Sequence, residues 1–169
     1  AAVSSFAFVE AAGLGYLGKL AADSLRLGRR GDASGAFGKP ALDPAEREGR
    51  LTGIPAADRL ASAAAILRGM GLTDNLARVV LLVGHGATTR NNPHAAGLAC
   101  GACGGHSGDA NALVAAAILN DPAVRNGLVG MGIAIPADTL FVAALHDTTT
   151  DQVSILDAAA LPPSHAQDL

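Results

Sequence analysis

The hydrophobic and polar positions of the chain repeat with a strand period near its start and with a helix period after it. Residues 3–9, VSSFAFV, alternate and carry β-branched and aromatic side chains, so they predict a strand. Apolar residues at helical spacing predict helices over residues 10–27 and 55–72. Pro55 and Gly71 stand near the first turn and near the C-cap of the second helix, where these residue types favour helix ends.

Two continuous apolar runs in the second half predict buried strands. They are RVVLLVG at residues 78–84 and DTLFVAALHD at residues 138–147, and turn residues bound both. Uninterrupted apolar runs of this length are typical of strands covered on both faces of a parallel sheet. Residues 149–156, TTDQVSIL, predict an additional edge strand.

Two helices are predicted between these buried strands. Residues 109–121 begin with Asp109, and residues 121–132 begin with Asp121 followed by a proline. Aspartate is a favourable N-cap residue, and proline is favourable at the first helical position. The order of strands and helices along the chain predicts an α/β domain whose mostly parallel sheet is flanked by helices.

Residues 28–54 interrupt this pattern. Their composition shifts to glycine, proline, arginine and acidic residues, which predicts an irregular insertion with the composition of a mobile segment. The remaining elements suit one unit, so residues 1–169 are expected to form a single α/β domain. The chain opens directly into a predicted strand without an initiator methionine, and we therefore expect it to be a fragment of a longer protein.

Composition narrows the function classes. The chain is 50% hydrophobic with a mean hydropathy of +0.33 but only 3% aromatic, so its core must be built from small and aliphatic side chains. A net charge of -3 and a pI near 5.9 argue against a nucleic-acid partner. The longest apolar runs are far shorter than the roughly 20 residues that span a bilayer. A membrane role would therefore depend on a separate partner.

One glycine motif is a poor match for nucleotide binding. Residues 13–18, GLGYLG, fit the G-x-G-x-x-G pattern between a predicted strand and a predicted helix. A dinucleotide site also needs a second strand ending in an acidic residue about 20 positions later, and the chain has ASGAFGKP there. Close packing of a helix on a sheet explains these glycines better.

Candidate chemistry concentrates in residues 84–105, GHGATTRNNPHAAGLACGACGG. His85 follows the first buried strand, at the carboxyl end where open α/β sheets bind ligands. Cys100 and Cys103 are the only cysteines, and they precede a predicted helix whose N–H groups favour the thiolate form. Thiolates and neutral imidazole are ligands that zinc prefers.

Three kinds of site fit this stretch. A redox C-x-x-C would begin a helix directly after a strand, whereas here a loop separates His85 from Cys100. A structural zinc site would use both cysteines with His85 and His94, whereas a catalytic zinc site would use three protein ligands and a water whose pKa falls to about 7. The spacing does not choose between the two zinc sites.

The chain has three further histidines. His146 ends the second buried strand, so in a parallel pair it emerges at the same sheet edge as His85. It is either a residue that supports a ligand or a hydrogen-bonded strand-end histidine. His106 could line the cysteine loop, and His165, in a proline-containing tail, is expected to be solvated.

Several motifs taken together resemble the DabA family, the large cytoplasmic subunits of bacterial inorganic-carbon accumulation systems. These motifs, in chain order, are FAFVEAAG, GHGATTRNNPH, CGACGGHSGDANA, AILND, VR, GIAIPADT and ALHDTTTDQV. The resemblance covers nearly the whole chain and is densest over residues 79–153. It implies a core similar to that of β-carbonic anhydrases, of which this chain holds only a part.

The resemblance also implies a zinc ion held by two cysteines, an aspartate and a histidine. The histidine of the GHG motif falls on His85 and the first cysteine of CGACGG falls on Cys100, which makes these two residues the expected metal ligands. The other two ligands come from a C-x-D-x-R motif that this chain does not contain. Cys103 is then expected to support Cys100 or to pack beside it. Leu113 stands where the family usually has an arginine, so a polar role of that position is in doubt.

The function implied by the resemblance is energy-coupled uptake of inorganic carbon. Zinc-bound hydroxide would hydrate CO2 to bicarbonate, and an integral membrane subunit that conducts protons or cations would be the partner. The chain would then lie peripherally at the cytoplasmic face of the membrane. Two alternatives stay open, a zinc-stabilised structural or interaction module without catalysis and a C-x-x-C redox domain.

Overall fold

The computed structural model describes residues 40–47, 50–89, 92, 94–158 and 161–169. The predicted strand over residues 3–9 and the predicted helix over residues 10–27 lie outside this part of the chain. None of the helices in the described part is both long enough and apolar enough to cross a membrane.

The described end of the predicted insertion holds a small hairpin. Strand β1 (Ala45–Arg47) pairs antiparallel with strand β2 (Arg50–Thr52). The chain then turns at Gly53, whose φ of +87° favours glycine, and a Cβ there would lie 2.3 Å from the carbonyl oxygen of Asp43. Local hydrogen bonding therefore orders a part of residues 28–54, where the composition alone predicted irregular structure.

The main sheet has three strands in the order β3, β4, β5. Strand β3 (Val79–Gly86) runs parallel to β4 (Leu140–Asp147) in register along their whole length. Strand β5 (Gln152–Ile155) pairs antiparallel with β4, because the short turn between them can join only antiparallel neighbours. Asp151 closes this turn with a φ of 57°. The described sheet is therefore mixed, and the prediction of a mostly parallel sheet is corrected to that extent.

The helices follow the predicted order, and the buried ones cover one face of the sheet. The α-helices are α1 (Ala56–Met70), α2 (Ala95–Leu98), α3 (Asp109–Leu119) and α4 (Pro122–Val129), and two 3-10 turns span Gly101–Cys103 and Pro163–Asp168. Helix α3 packs directly on β3 and β4, and α1 packs on α3 and α4. The predicted α/β class is confirmed for the described part of the chain.

Of the four predicted helix ends, two are found as predicted, and Pro55 stands directly before α1, at its N-cap position. Gly71 ends α1 with a φ of 70°, and Asp121 begins α4 by accepting a 2.8 Å hydrogen bond from the Ala123 N–H. Asp109 is not a cap, because Gly108 occupies that position in α3. The Asp109 carboxylate instead accepts a hydrogen bond from the N–H of its neighbour Ala110.

The core lies between the helices and the inner face of the sheet. Leu82 of β3 and Phe141 and Ala143 of β4 form the sheet side of this core. The helical side is aliphatic, as the low aromatic content predicted, and its members include Ala63, Ala64, Leu67, Ala112, Leu113, Ala116, Ile118, Leu119, Val124 and Leu128. Leu113 is 8% exposed and belongs to the core, in agreement with the doubt about a polar role of this position.

The Asn120 side chain forms hydrogen bonds with the backbone of Phe141 in β4, as a neighbouring strand would. Asn120, at the end of α3, donates to the Phe141 carbonyl at 2.7 Å and accepts from the Phe141 N–H at 3.1 Å. Arg125 then donates to the same Asn120 oxygen and to the Thr139 carbonyl. Because unpaired strand edges invite non-native pairing, this amide both ties α3 to the sheet and protects the edge.

Candidate metal centre

The carboxyl ends of β3 and β4 bring two histidines side by side. His85 and His146 are direct partners in the parallel register, and Leu81 and Val83 precede His85 on the same face. His85 is exposed and His146 is partly buried. The sequence-based expectation that both histidines emerge at one sheet edge is confirmed.

The cysteine loop folds back onto the end of β3. Cys100 and His106 form an isolated antiparallel bridge, in which the Cys100 N–H donates to the His106 carbonyl at 3.0 Å. The Gly108 N–H then donates to the His85 carbonyl at 2.9 Å. These two bonds attach the loop that carries Cys100 to the backbone of His85, so both predicted ligands belong to one hydrogen-bonded unit.

This attachment depends on two glycines. A Cβ on Gly84 would lie 2.4 Å from the Gly108 carbonyl oxygen, and a Cβ on Gly108 would lie 3.0 Å from the His85 nitrogen. Real side chains cannot occupy either space without moving the backbone. The motif glycine before His85 therefore permits close contact between the end of β3 and the start of α3.

The two cysteines differ in environment. Cys100 is buried, with 9% of its surface exposed, whereas Cys103 is only partly buried. The S–H of Cys103 donates to the Cys100 sulfur, and this lowers the pKa of Cys100 against the opposing effect of burial. The backbone N–H groups of Cys103 and Ala102 lower the pKa of Cys100 further. Cys100 is therefore the thiol that ionises first.

Cys103 is the thiol of the pair that keeps its proton, because its pKa is raised. Its hydrogen bond to Cys100 raises the pKa of Cys103, and burial and the charge on Cys100 raise it further. The Asn111 side-chain amide donates to the Cys103 sulfur at 3.1 Å. Since Asn111 lies in the first turn of α3, this bond fixes the C-x-x-C turn against the helix start.

A carboxylate joins the loops that follow β3 and β4. Asp147 accepts hydrogen bonds from the Thr88 hydroxyl at 2.6 Å and from the backbone N–H groups of Thr149, Thr88 and Thr150. The Thr88 hydroxyl, and then these N–H groups, hold the pKa of Asp147 at about 2, below its usual 3.8. Asp147 is therefore an ionised structural group whose oxygens are already occupied.

His146 has a carboxylate partner of its own. Its Nε2 lies 2.7 Å from an Asp151 oxygen, and Asp151 is almost fully exposed. The interpretation of His146 as a hydrogen-bonded strand-end histidine is therefore the one that its contacts support. Its Nδ1 makes no hydrogen bond with the part of the chain that the structure describes.

One buried hydroxyl in the cysteine loop lacks a partner. The Ser107 Oγ is buried, and no described residue accepts or donates a hydrogen bond to it. It lies so close to Gly86 that a Cβ there would be 2.8 Å from it. The Ser107 hydroxyl is therefore an unsatisfied buried polar atom beside Gly86, the residue that follows His85.

The remaining histidines lie away from this unit or face solvent. His94 and His106 are exposed, and His94 begins the short helix α2. His165 was expected to be solvated, but its Nε2 is 2.7 Å from the Asp138 carbonyl oxygen and its Nδ1 is 3.0 Å from the Ser164 hydroxyl. Among the described residues, no group of three or more histidine, cysteine, aspartate or glutamate side chains could hold a metal ion.

Comparison with known proteins decides the family. The family model described as "Probable inorganic carbon transporter subunit DabA" matches residues 1–169. The chain belongs to the DabA family. The resemblance inferred from the motifs is thereby confirmed. No solved structure gives a significant match to the chain.

Curated DabA relatives match this chain along its whole length. A relative from Chloroflexus aggregans, named probable inorganic carbon transporter subunit DabA, is 55% identical over 100% of this chain. A Bradyrhizobium relative, named probable inorganic carbon transporter subunit DabA 1, is 54% identical over 99% of this chain. In both cases the match covers 21% of the relative, so the chain spans about a fifth of the length of the DabA proteins that it matches.

The motifs alone did not predict the contacts of several residues near the predicted ligands. Ser107 and Asn111 lie within the quoted motif CGACGGHSGDANA, but only the folded loop shows what they contact. Thr88 and Asp147 lie in two motifs far apart in sequence. Their pairing could have been anticipated only from the parallel register of β3 and β4.

Proposed function

We propose that the chain is part of a zinc-dependent subunit of an energy-coupled inorganic-carbon uptake system, and that this subunit hydrates CO2. The relatives' name, inorganic carbon transporter subunit, supports both the substrate class and membership of a complex. The partner would be an integral membrane subunit that conducts protons or cations. The DabA subunit would then lie at the cytoplasmic face of the membrane, and its core would resemble that of β-carbonic anhydrases.

The observation that carries the proposal is the hydrogen-bonded environment of the Cys100 sulfur, which lowers the pKa of this thiol. Its sulfur receives the Cys103 S–H and two backbone N–H groups, and its pKa is lowered although the residue is buried. A lowered pKa makes the thiolate form of Cys100 easier to reach, and thiolate sulfur and imidazole nitrogen are ligands that zinc prefers. The Ser107 hydroxyl, which has no hydrogen-bond partner among the described residues, lies beside Gly86, the residue that follows His85.

His85 and Cys100 would hold the metal from this chain, and two further ligands would come from elsewhere in the longer polypeptide. When bound, zinc would supply a Lewis acid that lowers the pKa of a water molecule toward neutrality. The chain's own residues orient this half of the site. The Gly108 N–H fixes the backbone of His85, and Asn111 fixes Cys103 so that its S–H points to Cys100.

The test uses inorganic-carbon accumulation by cells that express the full-length protein with its membrane partner. His85→Ala and Cys100→Ala should each abolish accumulation and CO2 hydration, because each removes a proposed ligand. Cys103→Ser is the matched control, because it replaces the neighbouring thiol and should retain a substantial part of both activities. Full activity in either ligand variant would refute the proposal.

The same variants separate the two alternatives. A disulfide-exchange role needs both thiols, so Cys103→Ser would then be as inactive as Cys100→Ala. A purely structural zinc would leave hydration undetectable in the wild-type protein, although the ligand variants would still lose metal and stability.

A further inference from the structure

The thiol of Cys103 takes no part in the chemistry proposed above. In that proposal the sulfur ligand for zinc comes from Cys100. Cys103 is nevertheless a free thiol, and its S–H is hydrogen-bonded to the Cys100 sulfur. Two thiols in contact can be joined by oxidation, and the geometry of the turn between them decides how readily.

The turn between the two cysteines has the backbone geometry that a disulfide needs. The N–H groups of Cys103 and Gly105 donate to the Cys100 carbonyl at 3.1 Å and 3.0 Å. A turn of four residues keeps its first and last Cα atoms within about 7 Å, and disulfides join Cα atoms about 4.4–6.8 Å apart. Joining Cys100 to Cys103 therefore requires no rearrangement of the turn.

Both ends of this turn are anchored to neighbouring structure. The Asn111 amide, in the first turn of α3, donates to the Cys103 sulfur at 3.1 Å. The backbone of Cys100 forms the antiparallel bridge with His106. These contacts hold the two sulfurs beside each other in the reduced protein, so the second thiol is in place before any oxidant arrives.

The position of the turn favours a small oxidant and an easily reversed bond. Gly101 and Ala102 are exposed in the described part of the chain, and Cys103 is partly buried, whereas Cys100 is only 9% exposed. Hydrogen peroxide is close to water in size, so it needs no larger opening than the water used in the proposed hydration. A disulfide that closes so short a loop gains little from restricting the unfolded chain, which makes it easier to reduce.

We propose that Cys100 and Cys103 form a reversible disulfide in the presence of hydrogen peroxide, and that this disulfide switches off the zinc site. The second half rests on the proposed function, in which Cys100 is a zinc ligand. Thiolate sulfur binds zinc, whereas a sulfur bonded to another sulfur has lost the negative charge that the metal requires. Oxidation would thus release the ion, and reduction would restore its ligand.

The oxidation balances in two steps. The ionised Cys100 sulfur attacks one oxygen of hydrogen peroxide, so an S–O bond forms, the O–O bond breaks and hydroxide leaves. The Cys103 sulfur then attacks the Cys100 sulfur, so an S–S bond forms, the S–O bond breaks and a second hydroxide leaves. The two thiol protons convert both hydroxides to water, and the two thiols have lost two electrons to one peroxide. A dithiol returns these electrons by thiol–disulfide exchange.

Peroxide treatment of the purified full-length protein tests the pairing. Trypsin cleaves after arginine and lysine and releases residues 91–125 as one peptide, which contains Cys100, Cys103 and no other cysteine. We expect this peptide to lose the mass of two hydrogen atoms and to regain it after dithiothreitol. A peptide that keeps both thiols, or a link from Cys100 to a cysteine outside residues 91–125, would overturn the proposal.

Cys103→Ser is the matched variant, because it removes the second thiol and changes one atom of the side chain. Without Cys103, the sulfenic acid on Cys100 is not captured and oxidises further to sulfinic acid, which dithiothreitol does not reduce. At the same peroxide dose we expect at least about tenfold more sulfinic acid on Cys100 in this variant than in the wild type. Equal amounts in the two proteins would overturn the proposal. The mass change of the wild-type peptide needs no variant and stands if Cys103→Ser fails to fold.

Zinc release, followed in the same samples with a zinc-binding dye, separates this inference from the proposed function. We expect the wild type to release its zinc as the disulfide forms and to bind zinc again after reduction. A protein that forms the disulfide and keeps its zinc would overturn the switch. A protein that forms the disulfide but holds no zinc before treatment would uphold the pairing and refute the zinc site. A zinc-loaded protein that never forms the disulfide would refute this inference alone.

Discussion

Asp147 is the residue at which the loops after β3 and β4 meet. It accepts the Thr88 hydroxyl from one loop and the Thr149 and Thr150 N–H groups from its own turn. The Thr148 N–H also donates to the Gly86 carbonyl at 2.8 Å. The HDTTTD motif therefore acts structurally, since its polar groups fix the loop that directly follows His85.

The lowered pKa of Asp147 predicts a pH-dependent contribution to stability. Its pKa is about 2 in the folded state and 3.8 without these contacts, so folding favours the ionised form. The contribution is full above pH 3.8 and is lost as the pH falls toward 2. Asp147→Asn should therefore lower the free energy of unfolding at pH 6, and its deficit should vanish near pH 2 in urea titrations followed by circular dichroism.

Thr88→Val provides the companion variant. It removes the hydroxyl whose hydrogen bond is the largest cause of the lowered pKa of Asp147, and it keeps the shape of the side chain. It should retain a smaller pH dependence than the wild-type protein between pH 2 and pH 4. A deficit of Asp147→Asn that stays constant from pH 6 to pH 2 would show that the carboxylate is not perturbed by these contacts.

The orphaned hydroxyl of Ser107 leads to a second residue-scale prediction. In metal-free protein, Ser107→Ala should be neutral or stabilising by up to about 1–3 kcal/mol, because it removes an unsatisfied buried polar group. Thr139→Val should instead cost about 1 kcal/mol, because the Thr139 hydroxyl donates to the Ala77 carbonyl. A loss of stability in metal-free Ser107→Ala would mean that the hydroxyl already has a partner.

The roles of single residues were predictable from the sequence where their contacts are with residues nearby in the chain. Asp121 and Gly71 end their helices as predicted because a cap depends on neighbouring backbone groups. The prediction of Asp109 as a cap was wrong, and the hydrogen bonds of His165 were not predicted. The Gly108 backbone takes the cap position that Asp109 was expected to fill, and the Asp138 carbonyl that binds His165 is distant in sequence.

At the scale of elements, the contact between the end of β3 and the start of α3 positions both predicted ligands. Gly84 and Gly108 touch through their backbones, and the hydrogen bond from Gly108 to His85 depends on that contact. The glycine-rich sequence around His85 therefore has a packing reason that does not involve any bound ligand.

Gly84→Ala should separate these two elements. We expect a loss of about 1–3 kcal/mol in the free energy of unfolding, because its Cβ would collide with backbone that cannot move cheaply. Gly69→Ala in α1 is the control, since its Cβ would have nothing within 4 Å and alanine favours a helix by up to about 1 kcal/mol. Equal unfolding midpoints for the two variants would contradict the contact.

Strand and helix order were predictable because period and apolar content are encoded locally. The predicted strands 78–84 and 138–147 correspond to β3 and β4, and residues 149–156 contain β5. The antiparallel direction of β5 depends on the tight turn at Asp151, whose left-handed backbone no periodicity reveals. The use of Asn120 as a substitute for a strand was likewise hidden, because it needs α3 already placed on β4.

At the scale of the whole molecule, the chain spans about a fifth of the length of the DabA relatives that it matches. The family could be inferred from the sequence because several motifs occur together in one order, and the matching family model confirms it. The full metal site could not be derived, because two of its expected ligands lie outside these residues.

The central claim is that His85 and Cys100 are half of a zinc site and that Cys103 supports it. The most direct measurement is the zinc-to-protein ratio of the purified full-length protein and its single variants. We expect about one zinc per polypeptide in the wild type, most of it retained in Cys103→Ser, and almost none in His85→Ala or Cys100→Ala. Full zinc in Cys100→Ala, or loss of zinc in Cys103→Ser equal to that in Cys100→Ala, would contradict the account.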